Sequence, residues 1–170
     1  AGTSFDTTRK SAWIADSLTS NPVADVEIVA PAPLTFTEIA SHHDPVYTKS
    51  VRRGEPKHLA ESQGFKWDPG MWTAVTASNG GMIAAACAAL ADGVSGSLSS
   101  GMHHAQRDRG AGFCTFNGLA LAAMKILENR RSILILDLDS HCGGGTHSFI
   151  ETDPRVRQVD ISLNSVDAYW

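Results

Sequence analysis

Apolar residues recur at helical spacing near the start of the chain. Over residues 6–18, Asp6 stands as an N-cap and Trp13, Ile14 and Leu18 share one stripe, which predicts a first helix. The stretch VADVEIVAPAP (23–33) alternates in polarity and ends in two prolines, the pattern of a short strand running into a turn. Thr35 and Glu38 match a capping box that opens a short helix ahead of SHHDP. In DPVYTKSVRRG, Pro45 at the first turn and Gly54 as a stop bracket another helix. Residues 58–72 read as a loop with three large aromatics, and a long Ala-rich helix follows over about 72–92. Gly80 and Gly81 within it predict close approach to a neighbouring element. Residues 96–118 begin as a short strand and become a glycine-punctuated loop, and TFNGLALAAMKILENRR predicts a second long helix.

A continuous apolar run covers residues 132–138, inside ILILDLDSHCGGG, and predicts a strand buried in a parallel sheet covered on both faces. RVRQVDISL (155–163) predicts a further strand. Strands alternating with helices imply an α/β fold, a mainly parallel sheet with helices on both faces, within one domain over residues 1–170. Such sheets bind ligands at the carboxyl ends of their strands.

Composition narrows the function classes. The 170 residues are 42% hydrophobic and 19% charged, which describes a globular chain rather than a disordered one. A net charge of −4 and the lack of any basic stripe exclude an electrostatic footprint for nucleic acid. Cys87, Cys114 and Cys142 are scattered and form no CxxC pair, so reduced thiols in a cytoplasmic protein are expected. No run of about 18 apolar residues occurs, so no membrane span is expected. The first ten residues lack a signal-peptide pattern and an initiating Met, so a processed chain or a piece of a longer one is expected.

Candidate chemistry gathers in two places. Asp137, Asp139 and His141 stand at every second position and project the same way if the strand stays extended to residue 141. Carboxylates with an imidazole suit Zn²⁺ or a similar divalent ion, and a strand end with helix-capping aspartates has the same spacing. Glycines at 143–145 let the backbone turn sharply. The second place is His103-His104, in a loop between glycines. Taken alone these are surface histidines; beside an Asp-rich strand end, each becomes a base, an acid or a ligand that a carboxylate can orient.

Other residues carry plainer readings. Cys114 reads as a small buried thiol, His42, His43 and His58 as surface or loop residues, and His147 as structural. Trp67 and Trp72 read as packing aromatics, and Met71 and Met82 as core. Cys142 would add a soft third ligand, but strand alternation points it away from the face of His141.

GMHHAQRDRGAGFCTFNGLALAA followed by ILILDLDSHCGGGT resembles the zinc-dependent histone deacetylase family, which includes bacterial acetoin-utilisation and acetylpolyamine deacetylase-like proteins. HDPVYTKSVRRGEP and AESQGFKWDP also resemble bacterial members, so the likeness runs from about residue 6 to the end. The resemblance implies an arginase/deacetylase-like fold and hydrolysis of an acetyl-amide, of acetyl-lysine or acetylpolyamine type, to free amine and acetate. It implies one catalytic Zn²⁺ with Asp139 and His141 as two of three ligands, His104 as general base, His103 as its electrostatic partner, and Asp137 as the buried carboxylate bonded to His103. Gly112 and Phe113 resemble the wall of an acyl-lysine tunnel with Cys114 beneath, and Asp68 a rim aspartate. Backbone carbonyls of Asp137, Asp139 and His141, with Ser162 and Leu163, resemble a monovalent cation site for K⁺.

The chain also departs from the family pattern. The family's third zinc ligand and its transition-state tyrosine belong beyond residue 170, and Asp160 and Asp167 come too early to stand in for the ligand. The chain therefore reads as the N-terminal, apparently truncated part of a longer enzyme, holding part of the site. The family places an Asp or Asn at the position of Gly144 to orient the second histidine, so His104 must draw on a backbone group, a water or another residue. Two alternatives compete: a non-catalytic fragment or pseudo-enzyme of the same fold, and a dinuclear manganese ureohydrolase, which needs a carboxylate where Gly143 stands. Expected partners are an acetylated small amine or an acetyl-lysine substrate and no membrane; a sheet with an exposed apolar edge would favour an oligomer.

Overall fold

The computed structural model describes residues 9–130 and 132–170. Helix α1 (Lys10–Ser20) begins after Arg9, and the proposed cap Asp6 lies outside the described residues. The stripe of α1 is uncovered: Trp13 and Ile14 are exposed and the helix buries no side chain. The expected strand over 23–33 does not form. A strand persists only where its amides and carbonyls find a ladder, and among the described residues none lies alongside, so Val23, Val26, Ile28 and Val29 stay exposed.

Where short-range chemistry decides, the elements follow the sequence. Thr35 Oγ1 accepts from the Glu38 amide and the Thr35 amide donates to the Glu38 carboxylate, so both arms of the capping box open α2 (Phe36–Ala40). Asp44 accepts from the Val46 and Tyr47 amides at the start of α3 (Pro45–Arg53), and Gly54 ends it in the left-handed region at φ 82°. A single turn, α4 (Lys57–Ala60), interrupts the expected loop. Helix α5 (Met71–Asp92) suits a membrane span by length and composition alone. Here it lies against α3 and against α6 (Gly118–Leu127), and a side chain at Gly80 would collide with the Ala32 carbonyl.

Strands β1 (Ile133–Asp137) and β2 (Val156–Asp160) run parallel, with Ile133 opposite Val156 and Asp137 opposite Asp160. Helix α7 (Gly144–Ile150) connects them in a β-α-β crossover. No strand forms near residue 96; residues 96–117 are a loop with one bridge between Ala111 and Cys114. On one face of the sheet, Ile135 and Val156 join Ala120, Ala123, Leu127, Phe149 and Ile150 in a core. On the other, Leu134 and Leu136 are 64% and 55% exposed, and Val159 and Ile161 are exposed too. Burial of β1 on both faces is thus corrected: α6 and α7 pack on one face, and the residues of the other are left exposed among the described residues.

A second core holds Ile39, Tyr47, Val51 and Phe116, with Trp72 and Met71 packed against it. Trp67 bonds the Val51 carbonyl at 2.7 Å, so both tryptophans are packing aromatics. His42 is half-buried and His58 exposed, but His43 belongs to the interior, in edge contact with Phe116 and Phe149. Its Nε2 accepts from the Asn117 amide at 3.1 Å and its Nδ1 faces the Arg107 carbonyl at 3.3 Å. Two adjacent histidines look alike in sequence; helix α3's approach to the Phe116 ring selects the second for burial.

Two outcomes follow from this packing. Burial pushes the His43 imidazole down from 6.5 to about 4. A depressed folded value means that its contribution is complete above pH 6.5 and is lost as pH falls toward 4, a change of about 3 kcal/mol. His43→Gln keeps a donor and an acceptor but does not titrate, so denaturant midpoints of the variant should depend less steeply on pH in that window; parallel curves would contradict the assignment. The cysteines should also separate by depth. Burial pushes the Cys114 thiol up to about 11, whereas Cys87 is exposed. Iodoacetamide followed by peptide mass mapping should find Cys87 modified first and Cys114 intact until the protein unfolds.

Candidate active site

Strand β1 stops at Asp137 rather than running on to His141. Beyond it the chain turns through successive side chain-to-amide hydrogen bonds: Asp137 Oδ1 accepts from the Asp139 amide at 3.0 Å, and Asp139 Oδ1 from the His141 amide at 2.9 Å. Consecutive Asx turns, not strand alternation, therefore aim these side chains. The turns leave Asp137 buried, while the Asp139 and His141 side chains are 54% and 43% exposed. The hydrogen bond from the His141 amide, ahead of any other cause, holds the Asp139 carboxyl below the usual carboxylate range.

His103 and His104 reach this strand end from the loop before α6 and are buried there, beside the Asp-rich turn rather than on the surface. The loop is fixed by α7, whose Thr146 amide donates to the His103 carbonyl at 2.8 Å, and by Asn117, whose side-chain amide donates to the Ala105 carbonyl at 2.9 Å. His103 Nδ1 lies 2.7 Å from Asp137 Oδ2, and His104 Nδ1 lies 2.8 Å from Asp167 Oδ2. The two Nε2 atoms face each other at 3.1 Å, a contact that becomes a hydrogen bond only when one ring carries a second proton. Asp139 Oδ1 stands 3.7 Å from His103 Nε2, and the His141 ring lies 5.6 Å from that of His104. The five polar residues singled out from sequence thus form one cluster.

Gly112 has φ 50°, and a side chain there would run into the His104 ring. Phe113, also in the left-handed region, is half exposed; its ring lies 4.9 Å from Phe65 and its amide donates to the Gln63 carbonyl at 2.8 Å. Cys114 is buried next to them, as expected. Phe65 carried no spacing signal, because it meets Phe113 through the fold. Asp68 closes a tight turn by accepting from the Gly70 amide. His147 lies in α7 and stacks on Tyr169 at 4.0 Å.

The donors for a metal fit zinc in kind and spacing but not in number. His141 Nδ1 and Asp139 Oδ1 are 3.1 Å apart, against roughly 3.3 Å for two ligands on one tetrahedral Zn²⁺ with ~2.0 Å bonds. Among the described residues no group of three His, Cys, Asp or Glu converges on a metal position. Cys142 Sγ faces Ser162 Oγ at 3.1 Å and the Asn164 carbonyl at 3.6 Å, so it adds no third donor. Alongside, the Asp137 carbonyl accepts from the Ile161 amide and the Ser140 carbonyl from the Leu163 amide, which draws residues 161–163 against the turn.

Asp167 is the member of this cluster that its sequence position concealed. It lies beyond β2, with no motif around it, and arrives beside His104 only because residues 161–167 fold back over the tip of β1.

Comparison with known proteins places this geometry. The family model described as "Histone deacetylase domain" matches residues 4–169. An uncharacterized protein of Picosynechococcus is 35% identical over 117 residues, covering 67% of this chain and 39% of that protein. Histone deacetylase 1 of Homo sapiens is 27% identical over 148 residues, covering 80% of this chain and 31% of that enzyme. The crystal structure of the HDA15 HD domain superimposes with a TM-score of 0.73 at 19% identity, over 95% of this chain and 48% of that one. The chain therefore spans well under half the length of these curated relatives. Its α/β fold is the deacetylase fold, and the chain belongs to the histone deacetylase family.

Proposed function

We propose that this chain carries the proton-handling part of a zinc-dependent deacetylase site, which hydrolyses an acetyl-amide of acetyl-lysine or acetylpolyamine type to free amine and acetate. The observation that carries this reading is the pair of buried imidazoles, each with Nδ1 on a carboxylate, whose Nε2 atoms meet at 3.1 Å, that of His103 lying 3.7 Å from Asp139 and the His104 ring 5.6 Å from that of His141. Asp139 and His141 would hold the zinc, which supplies Lewis-acid polarisation of the amide carbonyl and activation of a water. His104 takes the water's proton at Nε2 and returns a proton to the departing amine, with His103 beside it stabilising the charge. Gly112, whose backbone packs against the His104 ring, and Phe113 would form the wall of the acyl-lysine tunnel. Carbonyls of Asp137, Asp139 and His141, with Ser162 and Leu163, would hold K⁺ behind the turn.

A second reading is favoured by the count of donors: with two convergent metal ligands among the described residues, the chain would bind an acylated amine without hydrolysing it. Zinc titration against a competing chelator, paired with hydrolysis of acetyl-lysine and acetylpolyamine, separates the two. The catalytic reading expects one tight zinc per chain, chelator-sensitive acetate release, and a loss of about 10²–10⁴-fold in rate for His104→Ala. Hydrolysis that survives His104→Ala would remove the assigned base, and weak zinc binding without acetate release would favour the second reading.

A further inference from the structure

We infer that Asp167 is the positioning residue for His104, and that it occupies the space in which a side chain at residue 144 would otherwise stand. The inference rests on the amide-hydrolysis reading above. His104 Nδ1 lies 2.8 Å from Asp167 Oδ2, nearly the separation between His103 Nδ1 and Asp137 Oδ2 at 2.7 Å. The two buried imidazoles are thus held alike, but one carboxylate comes from the end of β1 and the other from the segment that follows β2. A Cβ built on Gly144 would collide first with the Asp167 carbonyl oxygen and would lie 2.6 Å from Asp167 Oδ1 and 2.8 Å from its Cγ. A side chain at 144 and residue 167 in this position, backbone and carboxylate together, therefore exclude each other, and glycine at 144 is what admits Asp167.

Asp167 is itself held in place. Its Oδ2 also accepts from the Gly145 amide at 3.1 Å, in the first turn of α7. Its backbone is left-handed at φ 59°, a conformation that Asp tolerates better than most residues and that the surroundings must enforce. They do so from several sides. The Cys142 amide donates to the Val166 carbonyl at 3.0 Å, the Val166 amide to Asn164 Oδ1 at 2.9 Å, and the Ala168 amide to the Ser165 carbonyl at 3.2 Å. Tyr169 stacks on His147 with the rings 12° from parallel. Anchors on both sides of Asp167 tie it to the β1 turn and to α7, the two elements that carry the rest of the cluster.

The consequence is chemical. A carboxylate on Nδ1 keeps the proton of the neutral ring there and leaves the lone pair on Nε2, the atom a general base needs. Without it His104 is free to take the other tautomer or to rotate.

The test reads the tautomer directly. In the unaltered chain at alkaline pH, ¹⁵N NMR should show His104 protonated at Nδ1, with a slowly exchanging low-field proton like that of His103. Asp167→Gly suits the left-handed backbone and removes only the carboxylate. It should abolish the His104 low-field proton and populate the Nε2–H form, while the His103 signal, a monitor of correct folding, persists. Asp167→Asn keeps one acceptor oxygen and should fall between the two. In the zinc-loaded protein, Asp167→Gly should lower kcat about tenfold to a hundredfold with KM changed less than about twofold. Two outcomes overturn the inference: His104 unprotonated at Nδ1 in the unaltered chain, which no folding defect can explain, or tautomer and kcat unmoved by Asp167→Gly. No hydrolysis by the unaltered zinc-loaded protein, with the His104 tautomer as expected, would instead sink the deacetylase reading.

Discussion

The arrangement of the candidate site depends on one fully buried side chain, Asn117. Its Oδ1 accepts from the Ala120 amide at 3.0 Å and so starts α6; its Nδ2 donates to the Ala105 carbonyl at 2.9 Å and reaches the His103 carbonyl at 3.3 Å. Its backbone amide donates to His43 Nε2, and Thr146 of α7 bonds the same side chain. A helix start, the histidine loop, the crossover helix and the α3 core therefore meet on one residue. Inside a protein an unpaired polar group costs about 1–3 kcal/mol, so removing Asn117 would leave several orphans at once. The network also settles where His103 and His104 stand before any ligand is considered.

The second constraint is the way β1 ends. A parallel pair aims the carboxyl ends of its strands in one direction, and Asp137 is the last residue of β1 to stay in the ladder. Its two oxygens do different work: Oδ2 takes the His103 ring and Oδ1 takes the Asp139 amide, which begins the turn. Gly143 can follow at close range because its amide donates to Asp160 Oδ2 at 2.6 Å, so the neighbouring strand closes the turn. The exposed Asp139 and His141 are held by this backbone rather than by packing, which leaves them open to a ligand on their outer side.

Legibility in the sequence tracks the range of the interactions that decide each element. The capping box at Thr35 and the Pro45 and Gly54 brackets of α3 are settled within a few residues and were readable; the Asp44 and Asn117 caps are equally local but went unread. The strand expected at 23–33 depended on a partner, and one-sided alternation cannot report whether one exists. The run at 132–138 was read as buried on both faces because Leu134 and Leu136 are as apolar as Ile133 and Ile135; which face is covered is decided by α6 and α7. His43 against His42, and Phe65 against Phe113, are likewise choices made by neighbours distant in sequence. The residues proposed as metal ligands and base were singled out because two long motifs carry them, and the fold gathers them into one cluster, yet the stated route, an extended strand to His141, was wrong in detail: Asx turns do the aiming.

Asp167 shows the same limit from the other side. It was set aside as coming too early for the family's third zinc ligand, and glycine at 144 read as the loss of an orienting side chain. In space the two positions explain each other, since the volume left open by Gly144 is filled by the Asp167 carbonyl and carboxylate. A hydrogen bond to a histidine ring constrains only where the oxygen is, not which part of the chain delivers it. What must be preserved is the anchor set that brings residue 167 to the tip of β1, and that set is drawn from Cys142, Gly145 and His147, neighbours of the very histidine proposed to hold the metal. The proposed proton-handling pair and the candidate metal ligands are therefore tied to one short stretch of backbone, the β1 turn and the start of α7.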